Sequence, residues 1–337
     1  MQEPFGIKTE QEFSELCIET FLFQYHQVEV YKKFVDALNI DIDKVLSIEK
    51  IPFLPIEMFK HHKVIDKNYA PELFFQSSGT TQQNLSKHWI ADEILYQKSI
   101  YESFSQFIGK PEDFIFLGLL PNYLERKNAS LIYMVDFLMK KSSKRENGYF
   151  LYDHLKLYEL LSSLASENKK IILFGVSFAL LDFLDTLEVN GLNLCPNKNL
   201  YIIETGGMKG RKEEMTKDAL LEILKNRFSS QNIFSEYSMT ELLSQAYSLG
   251  NNIYESPSWM RILIRDTEDP FNYCPIGKTG GINIIDLANR HSCSFIATQD
   301  LGKLLSKKED NILRHTPFQV LGRIDHSDIR GCSLLVS

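Results

Sequence analysis

Hydroxyl-bearing side chains cluster in one short run, Gln76-Ser77-Ser78-Gly79-Thr80-Thr81, directly after the apolar residues Leu73-Phe74-Phe75. A glycine lets the backbone approach a ligand closely, and Ser and Thr hydroxyls with nearby backbone N–H groups supply clustered donors. Donors concentrated after a strand suit the oxygens of a phosphate group. The run has neither the Gly-Lys-Thr of a Walker loop nor a dinucleotide fingerprint. Two interpretations remain, a phosphate-binding loop and an ordinary polar turn.

Two further runs with chemical potential also follow strand-like segments. Glu204-Thr205-Gly206-Gly207 places paired glycines where a flat ligand can lie against the backbone, or where the chain turns into a helix. Tyr237-Ser238-Met239-Thr240-Glu241 offers a ring to stack on a base, the Thr240 hydroxyl for a phosphate, and the Glu241 carboxylate for Mg²⁺. The alternative for Glu241 is a carboxylate at a helix start, where the macrodipole favours it.

Three late residues complete the set of candidates. Asp300, followed by Leu301 and Gly302, can accept two ribose hydroxyls or belong to a tight turn. Arg323, within Gly322-Arg323-Ile324-Asp325, contacts an anion or lies in another turn. Cys332 is either a small apolar residue packed near the end of the chain or a reactive thiol.

The elements that must position these residues alternate between strand and helix from residue 72. Strand-like runs occur at 72–76, 113–120, 149–152, 170–176, 200–205 and 232–235, with helical patterns at 92–108, 129–140, 154–167, 177–187 and 212–227. Buried strands separated by amphipathic helices predict an α/β fold, a mostly parallel sheet flanked by helices on both faces. Ligands bind at the carboxyl ends of such strands, where the candidate runs fall. Residues 9–38 read as helical, and segments 258–265, 281–286, 294–298 and 317–324 predict a β-rich terminal part.

Composition excludes several classes of protein. The 337 residues carry a net charge of −7, so no basic excess is present to release counterions from nucleic acid. No apolar run reaches membrane-spanning length, and the first ten residues are too polar for a signal peptide. Five scattered cysteines, odd in number and without CxxC spacing, predict a reducing compartment, the cytoplasm, and no zinc site.

Taken in order, the four motifs resemble the adenylate-forming superfamily of acyl-CoA synthetases, adenylation domains and beetle luciferases. Ser78-Gly79-Thr80-Thr81 is similar to its phosphate loop, Tyr237-x-x-Thr240-Glu241 to its Tyr-Gly-x-Thr-Glu motif, Asp300 to its ribose-binding Asp, and Gly322-Arg323-x-Asp325 to its hinge motif. Within it the chain looks most like the acyl-protein synthetases of bacterial bioluminescence, from its length, Glu204-Thr-Gly-Gly207 and the ending Arg330-Gly-Cys332-Ser-Leu334.

The resemblance implies the large-domain fold of these enzymes, here one domain over 1–337. It comprises a helical N-terminal segment (1–70), an α/β nucleotide-binding body (71–255) and a β-rich terminal part (256–337). Because the sequence stops shortly after Asp325, we expect the small mobile C-terminal domain of the superfamily to be absent. Two motif positions differ from the family pattern: Gln82–Lys87 replaces its Gly and Pro-Lys, and Ser238 replaces a Gly.

The resemblance also implies ATP and Mg²⁺ as cofactors and assigns roles. The phosphates of ATP would be bound by Ser77, Ser78, Gly79, Thr80 and Thr81, and the adenine by Gly206, Gly207 and Tyr237. Asp300 would bind the ribose, Arg323 the ribose or the phosphates, and Glu241 the metal. The catalytic residues would be Thr80, Thr240, Glu241 and Cys332. The substrate would be a carboxylic acid, a fatty acid in particular, with its chain near Phe174–Ser177. The acyl group would pass through acyl-adenylate to a thiol, that of Cys332 or of an acceptor or reductase protein.

Two other functions stay open on the sequence. One is an AMP-forming acyl- or aryl-CoA ligase, against which the expected lack of a C-terminal domain counts. The other is a nucleotide-binding module without catalysis, which the altered residues after Thr81 suggest. ATP–pyrophosphate exchange separates catalysis from mere binding.

Overall fold

The computed structural model describes residues 2–77, 85–121, 128–206, 215–306 and 315–324. The α-helices are α1 (Glu10–Gln27), α2 (Glu29–Ala37), α3 (Met58–His61), α4 (Glu93–Phe107), α5 (Ser130–Ser142), α6 (His154–Leu164), α7 (Ser177–Val189) and α8 (Lys217–Phe228). The strands are β1 (Leu54–Pro55), β2 (Phe74–Gln76), β3 (Lys87–Trp89), β4 (Phe114–Leu119), β5 (Gly148–Tyr149), β6 (Lys170–Val176), β7 (Leu200–Thr205), β8 (Ile233–Tyr237), β9 (Ala246–Ser248), β10 (Tyr254–Glu255), β11 (Met260–Arg265), β12 (Gly280–Asp286), β13 (Phe295–Leu304) and β14 (Phe318–Arg323).

One half of the main sheet is parallel, with its strands in the order β5-β4-β6-β7-β8. Its central strands β4 and β6 are buried almost throughout, which is why they read as continuous apolar runs. Because crossovers are right-handed, α5 lies on one face of this half and α6, α7 and α8 on the other. The carboxyl ends of β6, β7 and β8 therefore meet at one edge.

The other half of the sheet is antiparallel and continues directly from β8 through β9, β10, β14, β13 and β12 to β11. β1 adds to β13 in parallel, so the N-terminal segment is joined to the terminal strands. Thr9 and Glu12 form a capping box that begins α1. These findings confirm the α/β prediction with a β-rich terminal part. The division into one domain with three segments stays a prediction.

The first predicted strand is the main departure from expectation. Residues 72–76 were expected to open the parallel sheet, but β2 pairs only with β3, as an antiparallel two-stranded ribbon. Ser77 therefore does not follow a strand of the main sheet. Among the described residues, no helix is long and apolar enough to cross a membrane.

Candidate active site

A cluster of predicted site residues forms where β8, β13 and β14 come together. The Tyr237 hydroxyl donates to Asp300 Oδ2 at 2.8 Å, and Arg323 Nε lies 3.4 Å from Asp300 Oδ1. Asp300 is directly opposite Arg323 in the β13–β14 register. The Tyr237 ring packs against Tyr254 and Phe318, with centroids 5.9 and 5.7 Å away. The cluster thus joins Tyr237 with Asp300, which is 63 positions later in the chain.

The side chains of this cluster differ widely in solvent exposure. Tyr237 is 9% exposed, the Asp300 side chain 15% and the Arg323 side chain 82%. Burial raises the pKa of Tyr237 well above its usual 10, and the charge of Asp300 adds to that shift. The phenol therefore stays protonated and donates. Asp300 keeps acceptor capacity for a ligand, and Arg323 offers an exposed cation next to it.

Replacing Asp300 by Ala is expected to raise the KM for ATP in pyrophosphate exchange by roughly tenfold or more, with little change in kcat. The physical reason is the loss of a charged acceptor that contributes to nucleotide binding before and during reaction alike. Asp269→Ala, in the turn after β11, is the control and should leave KM unchanged. An unaltered KM for ATP in Asp300→Ala would contradict the ribose assignment.

Ser77 pairs with Ser86 at one end of the β2–β3 ribbon, and we call this pair the Ser77–Ser86 neck. The other predicted phosphate-binding residues, 78–81, lie between the two serines in the sequence. The Ser77 backbone N–H donates to the Ser86 carbonyl at 3.1 Å, and the Ser77 hydroxyl accepts from the Ser86 backbone N–H at 3.1 Å. The β2–β3 ribbon thus closes at this pair. Ser78, Gly79, Thr80, Thr81, Gly207 and Cys332 lie outside the described residues.

Glu241 is buried next to this neck, with 4% of its surface exposed. Burial raises the pKa of its carboxyl, whereas a hydrogen bond with the Ser86 side chain and the charges of Arg323 and Lys60 oppose the rise. No group of three His, Cys, Asp or Glu that could hold a metal is found among the described residues. A single carboxylate still fits Mg²⁺, which fills its shell with phosphate oxygens and water.

The backbone of the Thr240–Glu241 segment is held by two side chains that the sequence analysis did not identify. His88 Nδ1 lies 2.9 Å from the Thr240 carbonyl oxygen, and its Nε2 lies 3.0 Å from Asn289 Oδ1. Asn289 Nδ2 donates to the Glu241 carbonyl at 2.7 Å. Burial lowers the pKa of His88 to about 4, and the contacts with Thr240 and Asn289 work against that shift. His88 also follows the Ser77–Ser86 neck in β3, so it ties the loop to the Glu241 segment.

Asp286 holds the chain immediately after Glu241. Its Oδ2 accepts from the backbone N–H groups of Leu243 and Ser244 at 2.8 and 3.0 Å, and its Oδ1 accepts from the Ser244 hydroxyl at 2.6 Å. Ser244 Oγ in turn accepts from Trp259 Nε1 at 2.9 Å. An irregular buried segment needs such partners for its polar backbone groups. They position Glu241 from its C-terminal side.

A second group of charges lies at the ends of β7 and β8. Glu204, fully buried, accepts from the Ser177 hydroxyl and pairs with the Lys217 ammonium. The Thr205 hydroxyl donates to Glu236 Oε2 at 2.5 Å. Burial raises the pKa of Glu236, and the charge of Glu204 adds to the rise. For Lys217, burial works to lower the pKa, but the charge of Glu204, the charge of Tyr254 and the hydrogen bonds with both residues together outweigh burial, so the pKa is raised.

The Glu204–Lys217 pair joins the two ends of the glycine-containing connection between β7 and α8. Gly206 in that connection has φ +72°, a backbone conformation that favours glycine. Because Glu204 is the next-to-last residue of β7 and Lys217 is the first residue of α8, the pair fixes the separation of these two elements. The pair therefore supports the loop in which Gly206 and Gly207 are predicted to contact adenine.

Lys217→Met is expected to lower the free energy of unfolding by about 3–5 kcal/mol, because it leaves the buried Glu204 charge uncompensated. Glu204→Gln in the same chain should restore most of that loss. Urea unfolding measures both. Lys156→Met, at an exposed position of α6, should change stability by less than about 0.5 kcal/mol. Equal destabilisation of the single and double variants would argue against the pair's role.

The sequence also matches a known family along nearly its whole length. A family model described as "Acyl-protein synthetase, LuxE" matches residues 3–337. This chain belongs to the LuxE acyl-protein synthetase family. The match confirms the resemblance and makes the chain a ligase that activates an acid for transfer. A search of curated proteins found no match.

Solved structures with the same fold are adenylate-forming ligases. A 2-hydroxyisobutyryl-CoA ligase in complex with 2-HIB-AMP and CoA aligns with a TM-score of 0.71 at 12% identity, covering 94% of this LuxE-family chain and 69% of that enzyme. ATP-bound MatB from Rhodopseudomonas palustris aligns with a TM-score of 0.53 at 13% identity, covering 74% of this chain and 47% of MatB. At these identities the likeness establishes the fold, and it confirms the adenylate-forming architecture.

Several residues of this LuxE-family site had no signal in the sequence. His88 and Asn289 contact the backbone carbonyls of Thr240 and Glu241, which lie far away in the chain, and neither belongs to a recognisable motif. Lys217 follows a charged stretch that reads as solvated surface. Glu204, in contrast, belonged to the recognised Glu-Thr-Gly-Gly run, so its position was visible but its ion pair was not.

Proposed function

We propose that this acyl-protein synthetase activates a long-chain fatty acid with ATP and then transfers the acyl group to the thiol of Cys332. The observation that carries the proposal is the convergence of Tyr237, Asp300 and Arg323 beside the Glu241 segment in a LuxE-family chain. We place the protein in the cytoplasm, which the four free cysteines among the described residues support.

In the first step a carboxylate oxygen of the acid attacks the α-phosphorus of ATP, and pyrophosphate leaves. Positioning and neutralisation of charge dominate such phosphoryl chemistry. Ser77, with Ser78, Gly79, Thr80 and Thr81, binds the phosphates, and the Thr240 hydroxyl adds a donor. Asp300 binds the ribose, and Arg323 the ribose or a phosphate.

The rest of the nucleotide lies between the ends of β7 and β8. Gly206, Gly207 and Tyr237 would bind the adenine ring. Glu241 would hold Mg²⁺, which neutralises phosphate charge as pyrophosphate departs. His88, Asn289 and Asp286 keep the Glu241 backbone fixed, so this charge is placed before substrate arrives.

In the second step the Cys332 thiolate attacks the acyl carbonyl carbon, and AMP leaves. A thioester forms as the mixed anhydride breaks, so no oxidant or reductant is needed. A thiol suits the step because its thiolate is a strong nucleophile even as a minor species. The thioester then passes the acyl group to an acceptor or reductase protein.

ATP–pyrophosphate exchange with a series of carboxylic acids tests the proposal. Exchange that depends on an added acid and is fastest with long-chain acids is the expected result. Absence of exchange with every acid would leave a nucleotide-binding module. Exchange followed by transfer to CoA alone would make the protein an AMP-forming acyl-CoA ligase.

A further inference from the structure

A large groove lies between the N-terminal segment and the terminal strands. It has a volume of about 700 Å³, within the range of small-molecule sites. Leu38, Val45 and Phe53 line it from the N-terminal side, and Phe271 and Tyr273 from the turn after β11. We call it the N-terminal groove.

The charged side chains that line the N-terminal groove include equal numbers of basic and acidic residues. Three are basic and three acidic: Lys44, Lys50, Arg265, Asp41, Glu49 and Glu57. The Arg265 guanidinium is engaged by the Ile282 and Thr298 carbonyls and by Asn283 Oδ1 at 2.6–2.9 Å. The groove therefore offers apolar surface without net charge. A neutral acyl thioester suits such a lining better than the carboxylate of a free fatty acid.

The groove adjoins the candidate active site at two places, where a residue of the groove and a residue of the site are neighbours in the sequence. Gln299 and Ile324 line the groove, and the next residues inward, Asp300 and Arg323, form the ribose-site pair. The Ile324 backbone N–H donates to the Gln299 carbonyl at 2.7 Å, which anchors the chain at this junction. On the same edge of β13, the Ile56 N–H donates to the Ala297 carbonyl at 3.0 Å. The pairing of β1 with β13 therefore ends shortly before the pairing of β14 with β13 begins at Asp300.

The chain that follows Ile324 begins at this junction. Residues 325–337 contain Ile329, Leu334, Leu335 and Val336 around Cys332. Cys332 is eight positions after Ile324, and a fully extended chain of that length reaches at most about 28 Å. Ile324 lines the groove, and its neighbour Arg323 belongs to the Asp300 cluster, so residues 325–337 start next to both.

From these observations we propose that the N-terminal groove binds residues 325–337 when Cys332 is acylated, with the hydrocarbon chain of the thioester in its apolar interior. The inference rests on the proposed function, because it requires an acyl group on Cys332. Shelter from water would slow hydrolysis of the thioester before its transfer. The groove thus stores the acyl group after adenylation and takes no part in forming the adenylate.

Leu38→Glu tests this role, because it puts a charge into the groove at a partly buried wall position. Acyl-enzyme is prepared with ATP, Mg²⁺ and myristic acid, and the half-life of the thioester is measured after removal of ATP. We expect the half-life to fall about tenfold or more, since the apolar chain loses favourable burial. Leu46→Glu, 77% exposed on the same segment and outside the groove lining, is the matched control and should behave as wild type.

A milder pair of variants protects the test against misfolding. Phe271 lies at the groove and is 60% exposed, so Phe271→Ser removes apolar surface without opening the core. Leu249→Ser, at a 52% exposed position outside the lining, is its control. Phe271→Ser should shorten the thioester half-life, and Leu249→Ser should not. ATP–pyrophosphate exchange should stay at the wild-type rate in all four variants.

A fatty acid with a terminal diazirine locates the chain directly. After formation of the thioester and irradiation, cross-links are expected in residues 34–57 or 265–273. Wild-type half-lives in Leu38→Glu and Phe271→Ser, with cross-links elsewhere, would overturn the groove's role while leaving the proposed function intact. Loss of exchange in the wild-type protein would instead remove the proposed function itself.

Discussion

Glu241→Gln is expected to lower the rate of ATP–pyrophosphate exchange roughly 100-fold or more. The substitution keeps the size of the side chain and removes the charge that would bind Mg²⁺. Glu241 is buried, and its backbone carbonyl is held by Asn289 at 2.7 Å, so little of the effect should come from movement of the segment. Because Mg²⁺ held by Glu241 would neutralise charge that develops as pyrophosphate leaves, kcat should fall more than affinity for the acid.

Glu236→Gln is the matched control for this variant. Glu236 is also buried near the end of β8, where its Oε2 accepts from the Thr205 hydroxyl. Gln keeps the size of the side chain and can still accept from Thr205. Exchange in Glu236→Gln should therefore remain within a few-fold of wild type. A Glu241→Gln enzyme that keeps the wild-type rate at limiting Mg²⁺ would show that the metal is held elsewhere.

The contrast between β6 and β2 explains how much of the fold could be read from sequence. β6 and β7 have the bounds that the apolar runs predicted, because a strand buried on both faces in a parallel sheet must be apolar throughout. The sequence of a three-residue strand such as β2 does not indicate which strand it pairs with. Its apolar residues fit a local ribbon as well as a large sheet, so its pairing with β3 could not be predicted.

The candidate site divides in the same way. Tyr237, Asp300 and Arg323 could be proposed from the sequence because their side chains are those that a nucleotide needs, and each lies at or near the end of a strand-like run; the structure brings them together. His88, Asn289 and Asp286 bind the backbone of one segment from two distant parts of the chain. A backbone carbonyl accepts from any donor, so the sequence carries no complementary pattern for such contacts. Supporting residues of this kind require the structure.

Cys332→Ser is expected to abolish hydroxylamine-sensitive labelling by fatty acid while leaving ATP–pyrophosphate exchange within about twofold of wild type. The first half of the reaction ends at acyl-adenylate and needs no thiol, whereas the second forms the thioester bond. The variant keeps a hydroxyl of similar size, which is a far poorer nucleophile near neutral pH. Incubation with ATP, Mg²⁺ and radiolabelled myristic acid, followed by hydroxylamine treatment, measures the thioester directly.

The other cysteines supply the control. Burial raises the pKa of the Cys293 thiol to about 12 and that of Cys17 still further, so both remain protonated and cannot attack. Cys195 is exposed, and Cys195→Ser therefore tests for non-specific acylation of a surface thiol. Full labelling of Cys195→Ser with none on Cys332→Ser would assign the thioester to Cys332. Label that persists on Cys332→Ser, or that appears only on added CoA, would transfer the role of acceptor to another thiol.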